Sequence, residues 1–315
     1  MNSADYAVQA SKGIKESFDN GSYVRLAEYV NLPIFKMEQT NEFSEIFTST
    51  ESMTGAKTLA ESETPPVLKL EDGYSVTLTE KRFGGALIVT ETMQRQSKDN
   101  TTKIDTFLQR QRDMLLSETD QVFITDCFQM LNQAFLTSAT YLAPDGAPLC
   151  AISGTANHTW NTAGSTAWNN GVTPALSSTA IDTAMTYAGA FTDASGKPMP
   201  LNFNVIVVKK GSAAERTARK LFAEGISPVT INDINLYYGE MTIVSTPYIT
   251  AANTLNWFLF DTTKVSPLYV GVGEYPTLRE PIKLENEDVR TNVTGFYKLG
   301  VNNMPFSIYG STGAT

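Results

Sequence analysis

Apolar positions across residues 101–137 recur every three or four: Ile104, Phe107, Leu108, Leu115, Val122, Phe123, Cys127, Phe128, Leu131, Ala134 and Phe135. That spacing marks one face of an α-helix, not the alternation of a strand. The stretch contains neither Gly nor Pro, and Asp99 and Asn100 stand where a first-turn cap is expected. At ~1.5 Å per residue the predicted helix is about 55 Å long, well beyond the usual three turns. Arg110, Arg112, Asp113, Glu118 and Asp120 fill its middle, where the apolar stripe thins. A solitary helix of this length reads as a spine that carries sheets. The pattern alone fits a long core helix of any α+β protein equally well.

Before the spine, Tyr6, Ala10, Ile14 and Phe18 recur at four, which predicts a short amphipathic helix over 1–20 that ends at Asn20-Gly21. Residues 21–46, punctuated by Pro33, read as a partly extended arm that suits a neighbouring subunit as well as its own. Residues 47–70 are polar and poor in large apolar side chains. After the Asp72-Gly73 turn signal, Tyr74, Val76 and Leu78 alternate with Ser75, Thr77 and Thr79, a strand pattern. Gly84-Gly85 is read as a break, with a strand resuming over 86–93. A long polar excursion between strands cannot build its own core, and loops of this length usually have a task. A protruding β-ribbon lying on another molecule is one physical solution.

After the spine, residues 146–181 contain no Asp, Glu, Lys or Arg and read as an irregular loop, partly buried between domains. A helix is predicted over 179–191, a turn cluster over 193–200, a buried strand in the β-branched run Phe203 to Val208, and a helix over 211–223. Strands follow over 236–249 and 255–260. Residues 146–260 thus form a second α/β or α+β domain. The tail returns to strands at 268–272, 289–292, 296–301 and 306–309, expected to pair with the strand near 86–93 and to pack on the spine. The first domain is then discontinuous and carries the second as an insertion.

Composition narrows the classes. At 315 residues, with 42% hydrophobic and 18% charged residues, the chain can bury a substantial core. The net charge of −9 disfavours wrapping nucleic acid. Two cysteines, Cys127 and Cys150, do not make a disulfide framework, and a reducing, intracellular setting fits better. The N-terminal residues carry Asp5 and Glu16 and do not read as a signal peptide; residues 241–260 read as strands, and no membrane partner is expected.

The charge is unevenly distributed. Residues 38–72 hold eight acids (Glu38, Glu42, Glu45, Glu51, Glu61, Glu63, Glu71, Asp72) against Lys57 and Lys69, a net of −6. Residues 81–112 hold seven bases (Lys81, Arg82, Arg95, Lys98, Lys103, Arg110, Arg112) against Glu91, Asp99 and Asp105, a net of +4. Adjacent blocks of opposite sign suggest head-to-tail docking, the acidic loop of one subunit over the basic helix start of the next. The candidate inter-subunit contacts are Glu51, Lys57, Glu61, Glu63, Lys69, Arg95, Arg110 and Arg112. Two solvated surfaces of unrelated charge would show the same pattern.

Chemical motifs are sparse. The only histidine, His158, has no nucleophile and carboxylate beside it in sequence. The spacing of Cys127, Cys150 and His158 does not fit zinc. Gly271-Val-Gly273 lacks the third glycine and helix of a dinucleotide loop, and Lys209-Lys210 is too small for a nucleic-acid patch. No catalytic residue, metal ligand or cofactor is expected. A structural or assembly role is favoured over an α+β hydrolase working with two carboxylates.

The order of parts resembles the major capsid protein of tailed bacteriophages, and more narrowly the major head subunit of Mu-like phages. The residues that carry the resemblance follow the spine: Asp145-Gly146, Leu149, His158, Asn169-Asn170, Leu176-Ser177, Asp193, Gly196-Lys197-Pro198, Val205 to Val208, Ala213 to Leu221, Ser245-Thr246-Pro247-Tyr248 and Trp257 to Asp261. The chain departs from the group at Lys209-Lys210-Gly211, where a proline-containing turn is common, and at Thr159, where Pro often follows the histidine. The resemblance implies an α+β, tailed-phage capsid fold. Its parts would be an N-terminal arm (1–46), an extended loop with flanking strands (47–93), a peripheral domain with the spine helix (94–145 and 261–315) and an inserted axial domain (146–260). It implies a homo-oligomer of hexamers and pentamers in an icosahedral shell. That shell would enclose double-stranded DNA without sequence-specific binding, assembled in the host cytoplasm and residing in the virion. A separate scaffolding protein, a portal and decoration or minor capsid proteins are the expected partners. An encapsulin-like nanocompartment shell is the alternative of the same fold.

Overall fold

The computed structural model describes residues 32–54, 58–59, 61, 64–67, 69–92, 101–160, 167–223, 237–280 and 282–314. The helix expected over 1–20, the start of the arm and the Asp99-Asn100 cap lie outside them.

The spine is a helix, α1 (Thr101–Asn132), about 48 Å long at ~1.5 Å per residue. It ends five residues before the sequence pattern does. The Asn132 side chain leaves the helix surface, donating to the Tyr248 carbonyl at 3.0 Å and accepting from the Thr250 amide at 2.9 Å. Residues 133–135 then close as a turn, and the Ala134 carbonyl accepts from the Cys150 amide instead of continuing the helix.

Phe123, Cys127, Phe128 and Leu131 of α1 pack on one face of a five-stranded sheet. In that sheet β1 (Lys36–Gln39) runs parallel to β9 (Leu268–Leu278). β9 is antiparallel to β11 (Val289–Val301), and β11 is antiparallel to β4 (Lys81–Val89) on its other side. The short β10 (Ile282–Lys283) also pairs with β11. The described part of the arm therefore adds a strand to its own subunit. β4 runs straight through Gly84-Gly85 instead of breaking there. A Cβ at Gly84 would overlap the Val293 carbonyl oxygen, and one at Gly85 would stand 2.8 Å from Leu115 of α1. The glycines admit close approach of strand and helix. Likewise 289–292 and 296–301, read as two strands, are one.

A second five-stranded sheet has the order β5 (Gly171–Val172), β12 (Ile308–Ser311), β8 (Trp257–Phe260), β6 (Val205–Lys209), β7 (Thr242–Thr246). The strand read at 306–309 thus joins this sheet and not the one on α1: β12 lies antiparallel to β8. Both faces are apolar, as a buried β-branched run requires. Ile206, Val208, Trp257 and Leu259 face α2 (Ser178–Ala190) and α3 (Ala213–Phe222). Val207, Phe258, Phe260 and Ile308 face the C-terminal end of α1, where Phe135 stacks on Phe258 at 5.7 Å. Ser177 caps α2; Ser212 caps α3 by accepting from the Glu215 amide, while the Glu215 carboxylate accepts from the Gly211 amide just before the cap. The strand expected over 236–249 is confined to β7; residues 237–240 form a turn.

β2 (Ser44–Thr54) and β3 (Lys69–Thr79) form a separate antiparallel ribbon, each strand about 36 Å long at ~3.3 Å per residue. The polar excursion of the sequence is this ribbon, and the alternation from Tyr74 to Thr79 is its two faces: Leu78 is buried, while Ser75, Thr77 and Thr79 are exposed.

Candidate assembly surfaces

β11 alternates without a break against β4, so its odd-numbered residues share one face and its even-numbered residues the other. Tyr297, Leu299 and Val301 turn to α1. Lys298 and Gly300 turn to the outer face, where the base of the ribbon covers them. A Cβ at Gly300 would overlap Leu78 of β3. Phe47 of β2 lies 4.8 Å from the Tyr269 ring of β9.

The ribbon base is held by a buried polar cluster. The Lys298 ammonium, fully buried, lies 2.9 Å from Glu45 Oε1. The Tyr269 hydroxyl donates to Glu45 Oε2 at 2.9 Å, and Thr40 donates to the same carboxylate. Burial alone would raise the Glu45 pKa; hydrogen bonds from Thr40, Lys298 and Tyr269 outweigh it and hold the carboxyl below its ordinary value. Burial pushes the Tyr269 phenol well up, with Glu45 adding to the rise. Further out, the Tyr74 hydroxyl meets Thr159 Oγ1 at 2.7 Å, tying the ribbon to the loop beside the second sheet.

That loop holds His158, fully buried. Its Nδ1 lies 2.9 Å from Asp145 Oδ2, and its ring is 4.5 Å from that of Trp168. A carboxylate does stand beside the only histidine, then, although the sequence showed none nearby. Nε2 has no hydroxyl or thiol within hydrogen-bond distance among the described residues, so the pair lacks the third member of a nucleophilic relay. Asn170 closes the same region. Its Nδ2 is 3.0 Å from each of the Leu149, Pro305 and Ile308 carbonyls, and its Oδ1 accepts from the Ala151 amide.

Of the residues expected to touch a neighbour, Glu61 is exposed in the turn between the ribbon strands. Glu51 lies on β2, Lys69 on β3, and Arg110 and Arg112 on α1, with their side chains outside the described set. Lys57, Glu63 and Arg95 lie wholly outside it. The sequence reading missed Glu45, Lys298 and Tyr269, whose partners are more than 220 residues apart along the chain.

A profile of the phage capsid protein family matches residues 73–302, from β3 through the spine and both sheets to the end of β11. The chain belongs to the phage capsid protein family. It is a structural protein of the virion head, a subunit of the capsid shell. Solved capsids share its fold. The Cyanophage Pam1 capsid asymmetric unit superposes with a TM-score of 0.54 at 12% identity, over 92% of this chain and 92% of that one. A structure from Mycobacterium phage Bobi gives 0.52 at 10% identity, over 91% and 89%. The capsid of Ralstonia phage GP4 gives 0.50 at 11%, over 88% and 87%. No curated protein matches the sequence.

Proposed function

We propose that this capsid protein is the major head subunit of a Mu-like phage, and that it self-assembles into hexamers and pentamers of an icosahedral shell around phage DNA. The observation that carries the reading is the ribbon. Eleven-residue strands in a ribbon of only two, with Ile46 72% exposed, are unstable as isolated hairpins and gain a reason to persist when a neighbour covers them. Residues 146–260 together with β12, which joins their sheet, form the axial part near the capsomer axes, and 94–145 with the rest of 261–315 the peripheral part. The acidic block 38–72 of one subunit lies over the basic block 81–112 of the next, with Glu51, Lys57, Glu61, Glu63 and Lys69 facing Arg95, Arg110 and Arg112. A separate scaffolding protein directs curvature, a portal occupies one vertex, and decoration or minor capsid proteins join later. Assembly takes place in the host cytoplasm.

The test is to express the chain alone and with its candidate scaffold, then measure particle mass by light scattering and image the product by negative stain. Closed shells, or capsomers of megadalton order, are expected. A stable monomer or dimer under both conditions would sink the reading. Shells that hold an enzyme cargo instead of DNA would move the protein to the nanocompartment class.

A further inference from the structure

β4 is an edge strand: among the described residues β11 is its one neighbour in the sheet. The Asn292 carbonyl accepts from the Arg279 amide on the β9 side of β11. Alternation along β11 therefore turns the main-chain groups of Thr291, Val293 and Gly295 toward β4, where they meet Leu87, Gly85 and Phe83. The N–H and C=O groups of Arg82, Gly84, Ala86 and Ile88 point the other way, out of the open edge. Among the described residues nothing bonds them, and all four residues are exposed.

An open edge is a template for another strand, and folded proteins blunt it with charge, proline, shortness or a bulge. The opposite edge of the sheet, β1, is four residues long and carries the Lys36–Glu38 ion pair. In the second sheet the edge strand β7 is five residues long and Pro247 follows at once. β4 is nine residues long, and from Phe83 to Val89 it has no charge, no proline and no shift of register. Its charges stand at its ends and differ in sign. Arg82 opens it, while Lys81 is engaged with the Tyr141 hydroxyl and Glu80 is turned over Gly273 of β9. Glu91 follows its far end, its amide donating to Asp288 Oδ1 at 2.8 Å. Arg290, the cation at that end, is turned back, its Nε donating to Asn292 Oδ1 at 2.9 Å. A strand with that polarity is complementary to itself when reversed.

We propose that β4 pairs antiparallel with β4 of a second copy, across a two-fold axis at Ala86, and so joins the sheets of two subunits into one. In that register Ala86 meets its own counterpart, Gly84 meets the partner's Ile88, and Arg82 meets the partner's Thr90, one residue from Glu91. Gly84 leaves room for Ile88, which is 48% exposed in the single subunit. With the axis moved to Gly85, Arg82 would stand opposite Ile88 and close to Arg290, cation near cation. One pair of strand edges does not bury the area of a stable dimer, so the contact forms where the other contacts of a shell already hold the subunits together. It rests on self-assembly into a shell.

The experiment uses the full chain, both as dissociated subunits and as assembled particles. Hydrogen exchange of the wild type over 82–88 is expected to slow on assembly. Ala86→Cys puts two thiols at the axis, on residues whose Cα atoms are about 5.5 Å apart in such a pair, within disulfide reach. Cys127 and Cys150 are buried and serve as the background. Mild oxidation of particles is expected to give covalent dimers and nothing larger, and oxidation of subunits none. In Ile88→Cys the two thiols are offset by four residues, about 13 Å at ~3.3 Å each, and should stay unlinked. Ala86→Pro removes an N–H that the subunit's own ladder does not use. It is expected to raise the protein concentration needed for assembly about tenfold, the ratio for ~1.4 kcal/mol, with circular dichroism unchanged. Slower exchange on assembly without Ala86→Cys dimers would overturn the pairing and assign the edge to a different segment. Particles that show neither change would overturn it while leaving the shell function standing. A wild-type chain that never assembles would overturn both.

Discussion

Lys298 of β11 and Glu45 of β2 meet at 2.9 Å across 253 residues of chain, and the lysine is fully buried. A lysine is rarely buried without a partner, and here its partner comes from the ribbon. The pair joins the ribbon to the sheet that rests on the spine helix. Removing one member leaves the other charge stranded. Glu45→Gln leaves the buried ammonium without a counter-charge and is expected to cost about 3 kcal/mol. Lys298→Met leaves a carboxylate that is 17% exposed and can reach water, so the loss should be smaller. Urea denaturation of the unassembled subunit checks the order. No loss in either variant would mean that the ribbon base is held by its apolar contacts, such as Phe47 and Leu78, and not by the charge pair.

The same contact gives the ribbon an acid sensitivity. The folded pKa of Glu45 is below its ordinary value of 4.5, so its stabilising contribution is present above that pH and drains as pH falls through the lower folded value. Asp193 and Glu215 are lowered too and act with the same sign, but they lie away from the ribbon. Protection of Thr48 and Ser75 against hydrogen exchange, relative to the unfolded chain at the same pH, should therefore fall as pH drops through that lowered value, before the strands of the second sheet loosen. In Glu45→Gln that exchange should be fast at pH 7 and show little further change on acidification. A wild-type ribbon whose protection is flat from pH 7 to 3 would contradict the assignment.

Periodicity exposed the spine, the ribbon strand from Tyr74 to Thr79, α2, α3 and β6, because each owes its existence to a local pattern of apolar residues. It misjudged places where a distant partner decides. Gly84-Gly85 looks like a break in sequence, yet Val293 and Leu115 use those glycines for close approach. Asn132 looks like any helix residue until Tyr248 and Thr250 claim its side chain. The polar residues that hold the ribbon and the loop, Glu45, Lys298, His158 and Asn170, are each bonded to residues that no short window contains. Asn169-Asn170 stood out only through resemblance; its physical reason is the set of carbonyls around Asn170.

Asn170 should be among the most costly polar positions. Its amide serves the Leu149, Pro305 and Ile308 carbonyls and the Ala151 amide at once. Asn170→Ala strands these buried groups, at about 1–3 kcal/mol for each unmet one. Asn170→Asp is worse, since a carboxylate faces three carbonyl oxygens and has no N–H to donate. Soluble yield and thermal unfolding should rank wild type above Asn170→Ala, with Asn170→Asp lowest.

Gly84 offers a control that separates packing from chemistry. A methyl group there meets the Val293 carbonyl, a backbone atom that cannot swing aside. Gly84→Ala should cost about 1–3 kcal/mol as overpacking and loosen the β4–β11 pair selectively. Ala86→Ser, on the same exposed face two residues on, should be neutral. Exchange at the amides of 291–295 is the readout, and equal behaviour of the two variants would show that β4 shifts to make room.

His158 decides between a structural and a catalytic reading of the one Asp–His pair in the chain. Asp145 Oδ2 accepts from the Thr159 amide at 3.1 Å as well as facing the imidazole, while Oδ1 accepts from the Ala147 amide. The carboxylate thus pins both ends of the loop, and the imidazole fills the space between it and Trp168. In this role shape and hydrogen bonding matter and proton transfer does not. His158→Phe keeps the stack but leaves Oδ2 with the Thr159 amide alone, and should cost about 1–3 kcal/mol. Asp145→Asn keeps an oxygen for the imidazole N–H and the Thr159 amide but turns its NH2 toward the Ala147 amide, donor against donor, and should cost about 1–3 kcal/mol as well. Thermal unfolding of both variants, with particle yield as a second readout, checks the structural role: both should melt below wild type and assemble poorly, and variants that unfold and assemble as wild type does would contradict it.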